Sequence, residues 1–76
     1  MKRSNMYTVC YRMDGIWSDE KTCYVLASNK AEAYDKAVFE EIPKLHSYSP
    51  YSAWVSGVTY QNGNYHAFNT CDGLGY

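Results

Sequence analysis

At 76 residues the chain has room for one small domain, whose core contributes only a few kcal/mol, roughly 3–5. Its formal net charge of −1, from 7 Lys+Arg and 8 Asp+Glu, argues against a cation-rich surface that tracks phosphates and, less firmly, against a carboxylate-studded mimic of nucleic acid. No apolar run approaches the length of a membrane span, and no apolar segment follows Lys2-Arg3, so a soluble, cytoplasmic protein is expected.

The first predicted element is a strand over 7–13, where Tyr7, Val9, Tyr11 and Met13 alternate with Thr8, Cys10 and Arg12. Residues 1–5 before it read as a flexible N-terminus. Asp14-Gly15 supplies turn chemistry, and the connection runs through Ile16-Trp17-Ser18-Asp19-Glu20. A second strand over 21–27 puts Cys23, Val25 and Ala27 on one face and Thr22, Tyr24 and Leu26 on the other, so the two strands form a hairpin. The helix comes next. Asn29 with Glu32 fits a capping box, with Ser28 as the other candidate cap. Ala31, Tyr34, Val38 and Ile42, with Ala37 beside them, make its core stripe, and Pro43 is expected to end it.

Residues 44–52 read as irregular, broken at Ser49-Pro50, and a third strand is expected over 53–60. Asn62-Gly63 predicts a two-residue type I′ turn, which sets Tyr60 opposite Tyr65, Thr59 opposite His66, Val58 opposite Ala67 and Gly57 opposite Phe68. A fourth strand over 64–69 follows, and 70–76 read as a tail. The whole is a single α+β domain, a four-stranded antiparallel sheet with one helix packed on one face (ββαββ). One helix covers one face, which leaves the other to solvent or to a partner.

What would bind there is suggested by composition. Nine tyrosines stand against two phenylalanines, and a tyrosine pairs a large rigid ring with a polar tip, so it tolerates water and still anchors a partner. With Val9, Val25 and Val58 toward the helix, the open face carries Thr8, Cys10, Arg12, Tyr24, Thr59, His66 and Phe68, as a recognition surface or as an ordinary solvated face. The loop His46-Ser47-Tyr48-Ser49-Pro50-Tyr51-Ser52 has the ring-and-serine composition of a paratope, and its rings could equally fold back to seal the core. Trp17 beside Asp19 and Glu20 either grips a basic surface or folds over the sheet end. The candidate partner-binding residues are therefore Tyr48, Tyr51, Tyr24, Trp17, Asp19, Glu20, Arg12, His66 and Phe68.

No catalytic or metal-binding residues and no cofactor are expected. Cys10, Cys23 and Cys71 are odd in number and lack paired ligand spacing, so they read as reduced thiols, the first two packed in strands. His46 and His66 have no carboxylate or thiol at a spacing that forces contact. Asp72-Gly73-Leu74-Gly75 opens no helix and so fails as a phosphate loop.

A strand ending Tyr24-Val25-Leu26-Ala27-Ser28, followed by Asn29-Lys30-Ala31-Glu32-Ala33-Tyr34-Asp35-Lys36-Ala37, resembles a join common in small bacterial and phage proteins, among them several anti-CRISPR proteins of this length. The likeness is one of topology over 7–69 and transfers no functional residue. It implies a phage-derived, non-enzymatic inhibitor in the bacterial cytoplasm, which blocks a host defence complex such as a CRISPR effector by steric contact. Two alternatives stand beside it: a module that stacks single-stranded nucleic acid on the open sheet, and a structural protein that self-associates, at least as a homodimer, through strand edges or the open face.

Overall fold

A computed structural model describes residues 4–68. Its elements are β1 (Asn5–Arg12), β2 (Lys21–Ala27), one continuous helix α1 (30–46), β3 (Ser52–Thr59) and β4 (Tyr65–Ala67). The strands form one antiparallel sheet in the order β2-β1-β3-β4. This is the α+β, one-helix architecture that the alternating and helical patterns predict. β1 begins earlier than expected: Met6 is paired with Leu26 on one side and Thr59 on the other, which draws residues 5 and 6 into the central strand. The predicted tail over 70–76, with Cys71, lies outside the described residues.

Period-two patterning decides which face is covered. Tyr7, Val9 and Tyr11 of β1, Cys23, Val25 and Ala27 of β2, and Val55 and Val58 of β3 are buried together against Ala33, Ala37 and Ile42 of the helix. Val9, Val58 and Ile42 are fully buried, each contributing about 1.5–3 kcal/mol by leaving water. The spacing from Val55 to Val58 breaks strict alternation because Ser56 is an extra residue: Thr8 faces Gly57 and Val9 faces Val55. This bulge keeps both valines on the core side. Cys10 and Cys23 are free, buried thiols in neighbouring strands.

The helix starts as the capping pattern predicts. Asn29 accepts the Glu32 N–H at 2.8 Å, and Glu32 Oε1 accepts from both the N–H and the hydroxyl of Ser28 at 2.7 and 2.6 Å. It does not end at Pro43. Lys30–Lys36 is α-helical, Ala37–Glu41 forms a π-helical turn, and Ile42–His46 is α-helical again. In the π turn the Ile42 N–H reaches back to Ala37 O, five residues away, so the backbone widens ahead of the proline, where an α-helical carbonyl would clash with its ring. The extra residue also displaces the core stripe. Ala33, Ala37 and Ile42 face the sheet, with steps of four and then five, while Ala31 and Tyr34 of the expected stripe are exposed. The chain finally leaves the helix at Ser47, a left-handed residue (φ 72°) whose N–H donates to Pro43 O at 2.7 Å.

The β3–β4 hairpin corrects the predicted register by one residue. Tyr60 N–H donates to Asn64 O at 2.8 Å and Gly63 N–H to Tyr60 O at 2.9 Å, which encloses a three-residue loop. Gly63 alone in that loop has positive φ (93°), so Asn62 cannot occupy a type I′ position, which requires positive φ at both central residues. The geometry is a turn closed by a left-handed glycine. Thr59 therefore faces Tyr65, Val58 faces His66 and Gly57 faces Ala67. A slip of one residue exchanges the faces of β4. His66 and Phe68 consequently belong to the helix side, where Phe68 stacks on Tyr7 with centroids 6.4 Å apart and lies under the Lys30 ammonium at 4.8 Å. The glycine gap is covered by Tyr65 instead of Phe68: a Cβ on Gly57 would collide with Tyr65 Oη and stand 2.9 Å from His66 O.

Candidate protein-docking surface

The face turned away from the helix is built by the alternate residues of all four strands. Across it, the registers align Leu26, Met6, Thr59 and Tyr65 in one row, Tyr24, Thr8, Gly57 and Ala67 in the next, and Thr22, Cys10 and Trp54 in a third. Tyr24, Leu26 and Tyr65 are 64%, 55% and 54% exposed, and Trp54 is half-buried. Cys10 sits deeper, with Sγ 3.5 Å from Ser56 Oγ and 3.9 Å from Thr22 Oγ1. The strand residues of this face include one cation, Arg12, at its end.

Arg12 leads into the second part of the surface. Its guanidinium donates to Ser18 O and lies 3.7 Å from Glu20, so it ties down the loop between β1 and β2 and is itself neutralised. Ser18 closes that loop further, through N–H and hydroxyl bonds to Gly15 O at 3.1 and 2.7 Å. The result is a held loop with Trp17 projecting at 92% exposure and Ile16 beside it in sequence, also exposed. The segment after the helix docks against the same loop. Tyr48 Oη donates to Asp14 Oδ1 at 2.9 Å, and Tyr51 N–H donates to Arg12 O at 2.8 Å. The bond to Asp14 pushes the Tyr48 phenol above its ordinary pKa of 10.0. Both rings stay exposed, Tyr51 at 61%.

The structure thus brings together Trp17, Asp19, Glu20, Arg12, Tyr48 and Tyr51 at one end of the molecule and sets Tyr24 on the adjoining open face. The alternative in which Trp17 folds over the sheet does not occur. Nor do Tyr48 and Tyr51 seal the core, a task that falls to His46, whose Nε2 is 2.9 Å from the buried Tyr11 hydroxyl. His66 and Phe68 are separated from the group by the register correction. Sequence reasoning set Leu26 on the face of Tyr24 without naming it a candidate, and missed Met6, Trp54 and Tyr65. The alternation of 52–59 could have found Trp54, but the extra residue at Ser56 hides the phase, and Tyr65 follows only from the correct turn.

Of the eight tyrosines among the described residues, Tyr7 and Tyr11 are buried and the other six are exposed. Burial, then the nearby Cys23, pushes the Tyr11 phenol up. Burial, then Glu41 and Cys10, pushes the Cys23 thiol up, away from the thiolate that nucleophilic chemistry uses. Among the described residues, no group of three or more His, Cys, Asp and Glu side chains is placed to hold a metal ion, and no helix is long and apolar enough to cross a membrane. What the arrangement can do is present rigid rings on a fixed scaffold. Comparison with family models, with curated proteins and with solved structures finds no match for this chain.

Proposed function

We propose that this chain is a small non-enzymatic binding protein that docks on a protein partner through the open sheet face and the adjoining loop end. The observation that carries the reading is the placement of Tyr24, Leu26, Trp54, Tyr65 and Trp17 on one face and its rim, outside the core the helix covers. Large apolar side chains gathered this way on a small domain mark interaction surfaces, and tyrosine and tryptophan are the residues that dominate such contacts. A protein partner fits better than nucleic acid because Arg12, the cation of this face, is already paired with Glu20, leaving little to neutralise phosphates. The resemblance to small phage-encoded anti-CRISPR proteins supplies the partner class: a bacterial defence complex such as a CRISPR effector, blocked sterically in the host cytoplasm.

The test is capture of the effector complex from bacterial lysate by the tagged chain, paired with a nuclease-inhibition assay. Trp17→Ala, Tyr24→Ala and Tyr51→Ala are each expected to weaken binding while leaving the fold intact. Unchanged binding in all three removes the assigned surface. A labelled oligonucleotide titrated at two salt concentrations separates the nucleic-acid alternative, since tight binding that falls steeply with salt would replace the protein-docking reading.

A further inference from the structure

Among the described residues the sheet has two outer strands, β2 and β4, and they meet solvent differently. β4 is three residues long, while β2 runs for seven in an unbroken register, with no proline and a charge only at its first residue, Lys21. Proteins guard an outer strand by shortness, proline, bulges or charge. β4 is guarded by shortness, whereas β2 carries a charge guard at one end, the Lys36 ammonium on Leu26 O, and its other outward groups are left able to pair.

The hydrogen-bonding phase of that edge follows from the central strand. Arg12 O accepts from Tyr51 N–H on the β3 side, so even-numbered residues of β1 turn their polar groups to β3 and odd-numbered ones to β2. The β1–β2 register then commits Cys23, Val25 and Ala27 to β1 and turns the N–H and C=O of Thr22, Tyr24 and Leu26 outward. Lys36 Nζ, 2.8 Å from Leu26 O, confirms the direction.

We propose that β2 is a dimerisation edge, at which two copies pair antiparallel about a two-fold axis through Tyr24 and join their sheets into one. In this register Tyr24 faces Tyr24 of the second copy, and Thr22 faces its Leu26 on either side, each pair exchanging both N–H···O bonds. An axis at Cys23 or Val25 would leave one of the three outward residues unpaired. The helix flank shows why the occupant is a second copy and not a foreign strand. Lys36 sits beside Leu26, and Glu41 lies at the other end of the same groove, close enough for its charge to bear on Cys23. The two-fold axis sets Leu26 opposite Thr22 of the second copy, and so sets Lys36 opposite that copy's Glu41, twice over. On pairing, the ammonium yields Leu26 O to the incoming Thr22 N–H and turns from Glu32, 3.9 Å away on its own helix, to the facing carboxylate. Tyr24 and Leu26 of both copies then meet at the centre of a doubled open face. The inference rests on the β2 edge and the helix flank beside it, and is independent of which partner the open face binds.

The test is the solution mass of the full chain by light scattering or sedimentation across a concentration series, with amide hydrogen exchange on the same samples. The expected result is a species of twice the 8.7 kDa chain mass, with slowed exchange at Thr22, Tyr24 and Leu26 that is lost on dilution. Lys36→Glu, which faces glutamate with glutamate, should raise the dissociation constant by about tenfold or more, and Lys36→Glu with Glu41→Lys should restore it. Tyr24→Pro removes an outward N–H that the monomer does not use and should abolish the dimer. Should that variant fail to fold, the charge-exchange pair carries the test by itself. A mass of one chain at every concentration overturns the proposal. So does an association that leaves the three amides exchanging freely or ignores Lys36→Glu.

Discussion

The two faces of one sheet are made from alternate residues of the same strands, yet they obey different physics. Toward the helix stand Val9, Val25, Ala27 and Val58, buried and closely packed; toward solvent stand Tyr24, Leu26 and Tyr65, more than half exposed. On the covered face every atom contributes to keeping the chain folded. On the open face a ring can be lost with little effect on the fold, because it already lies in water. A chain of this size has a total stability of roughly 4–11 kcal/mol, at about 0.05–0.15 kcal/mol per residue, so apolar area left outside the core is a substantial share forgone. Phe39 and Leu45 are exposed on the helix as well, but the rings of Tyr24, Tyr65 and Trp17 with Leu26 gather on one face and its rim, and that gathering is what supports the proposed docking surface.

The sharpest way to break this contrast is to cut into the covered face. Ile42→Ala empties a fully buried site where the π turn delivers the helix onto the sheet, and should cost about 2–5 kcal/mol in denaturant unfolding. The open face should answer in the other currency: Tyr24→Ala should change stability by no more than about 0.5 kcal/mol. The same variant should weaken partner binding by about 2 kcal/mol, close to thirtyfold, in a direct titration. If Tyr24→Ala unfolds the chain as Ile42→Ala does, the two faces are not energetically distinct and the open face serves the fold instead of a partner.

A pH titration tests the covered face without mutation, with the exposed Tyr48 phenol, raised by its bond to Asp14, titrating on the same alkaline side. Tyr11 and Cys23, both on the covered face, have pKa values raised above 10.0 and 9.0, so the folded chain holds these protons more tightly than the unfolded chain does. Their contribution is complete below the ordinary thiol value of 9.0 and is lost as pH climbs through the phenol's 10.0 and beyond. Denaturation midpoints measured from pH 7 upward should therefore fall on the alkaline side, and Cys23→Ala should delay the onset. A flat profile across that range would mean the covered face is wetter than its packing implies.

Smaller effects probe the helix that makes the difference. Asn29→Ala removes the N-cap bond to Glu32 N–H and should cost about 1 kcal/mol, visible as reduced helical circular dichroism and a lower midpoint. Ser47→Gly should stabilise by about 0.5–1 kcal/mol, because a left-handed serine is strained by more than the flexibility a glycine adds to the unfolded chain. A loss of stability at Ser47→Gly would show that the serine side chain contributes to the helix exit in a way its backbone angles do not reveal.

Much of the fold was legible because local patterns carried it. The alternation in 7–13 and 21–27 marks strands whatever surrounds them, and Asn29 with Glu32 marks a helix start by its own hydrogen-bond chemistry. Two signals misled for one physical reason, an inserted residue. Ile42-Pro43 reads as a helix end, but the π turn absorbs an extra residue, carries the helix to His46 and moves the buried stripe from Ala31 and Tyr34 to Ala33, in line with Ala37 and Ile42. Asn62-Gly63 reads as a two-residue turn, but the loop takes in Gln61, which moves His66 and Phe68 to the helix side and Tyr65 onto Gly57. Of the candidate site, the ring-bearing loops were visible in composition. The grouping of Trp17 with Tyr48 and Tyr51 was not, because it depends on Arg12 and Asp14 reaching across the chain.

Residue order alone settled the element types, the pairing of β1 with β2, the covered faces of those two strands and the surplus of tyrosine, since each follows from side-chain chemistry within a few neighbours. Only tertiary structure decided the strand order, the phase of β3 and β4 and the rings that share a face. Those depend on bulges and turns whose extra residues become favourable only when distant strands are already in place.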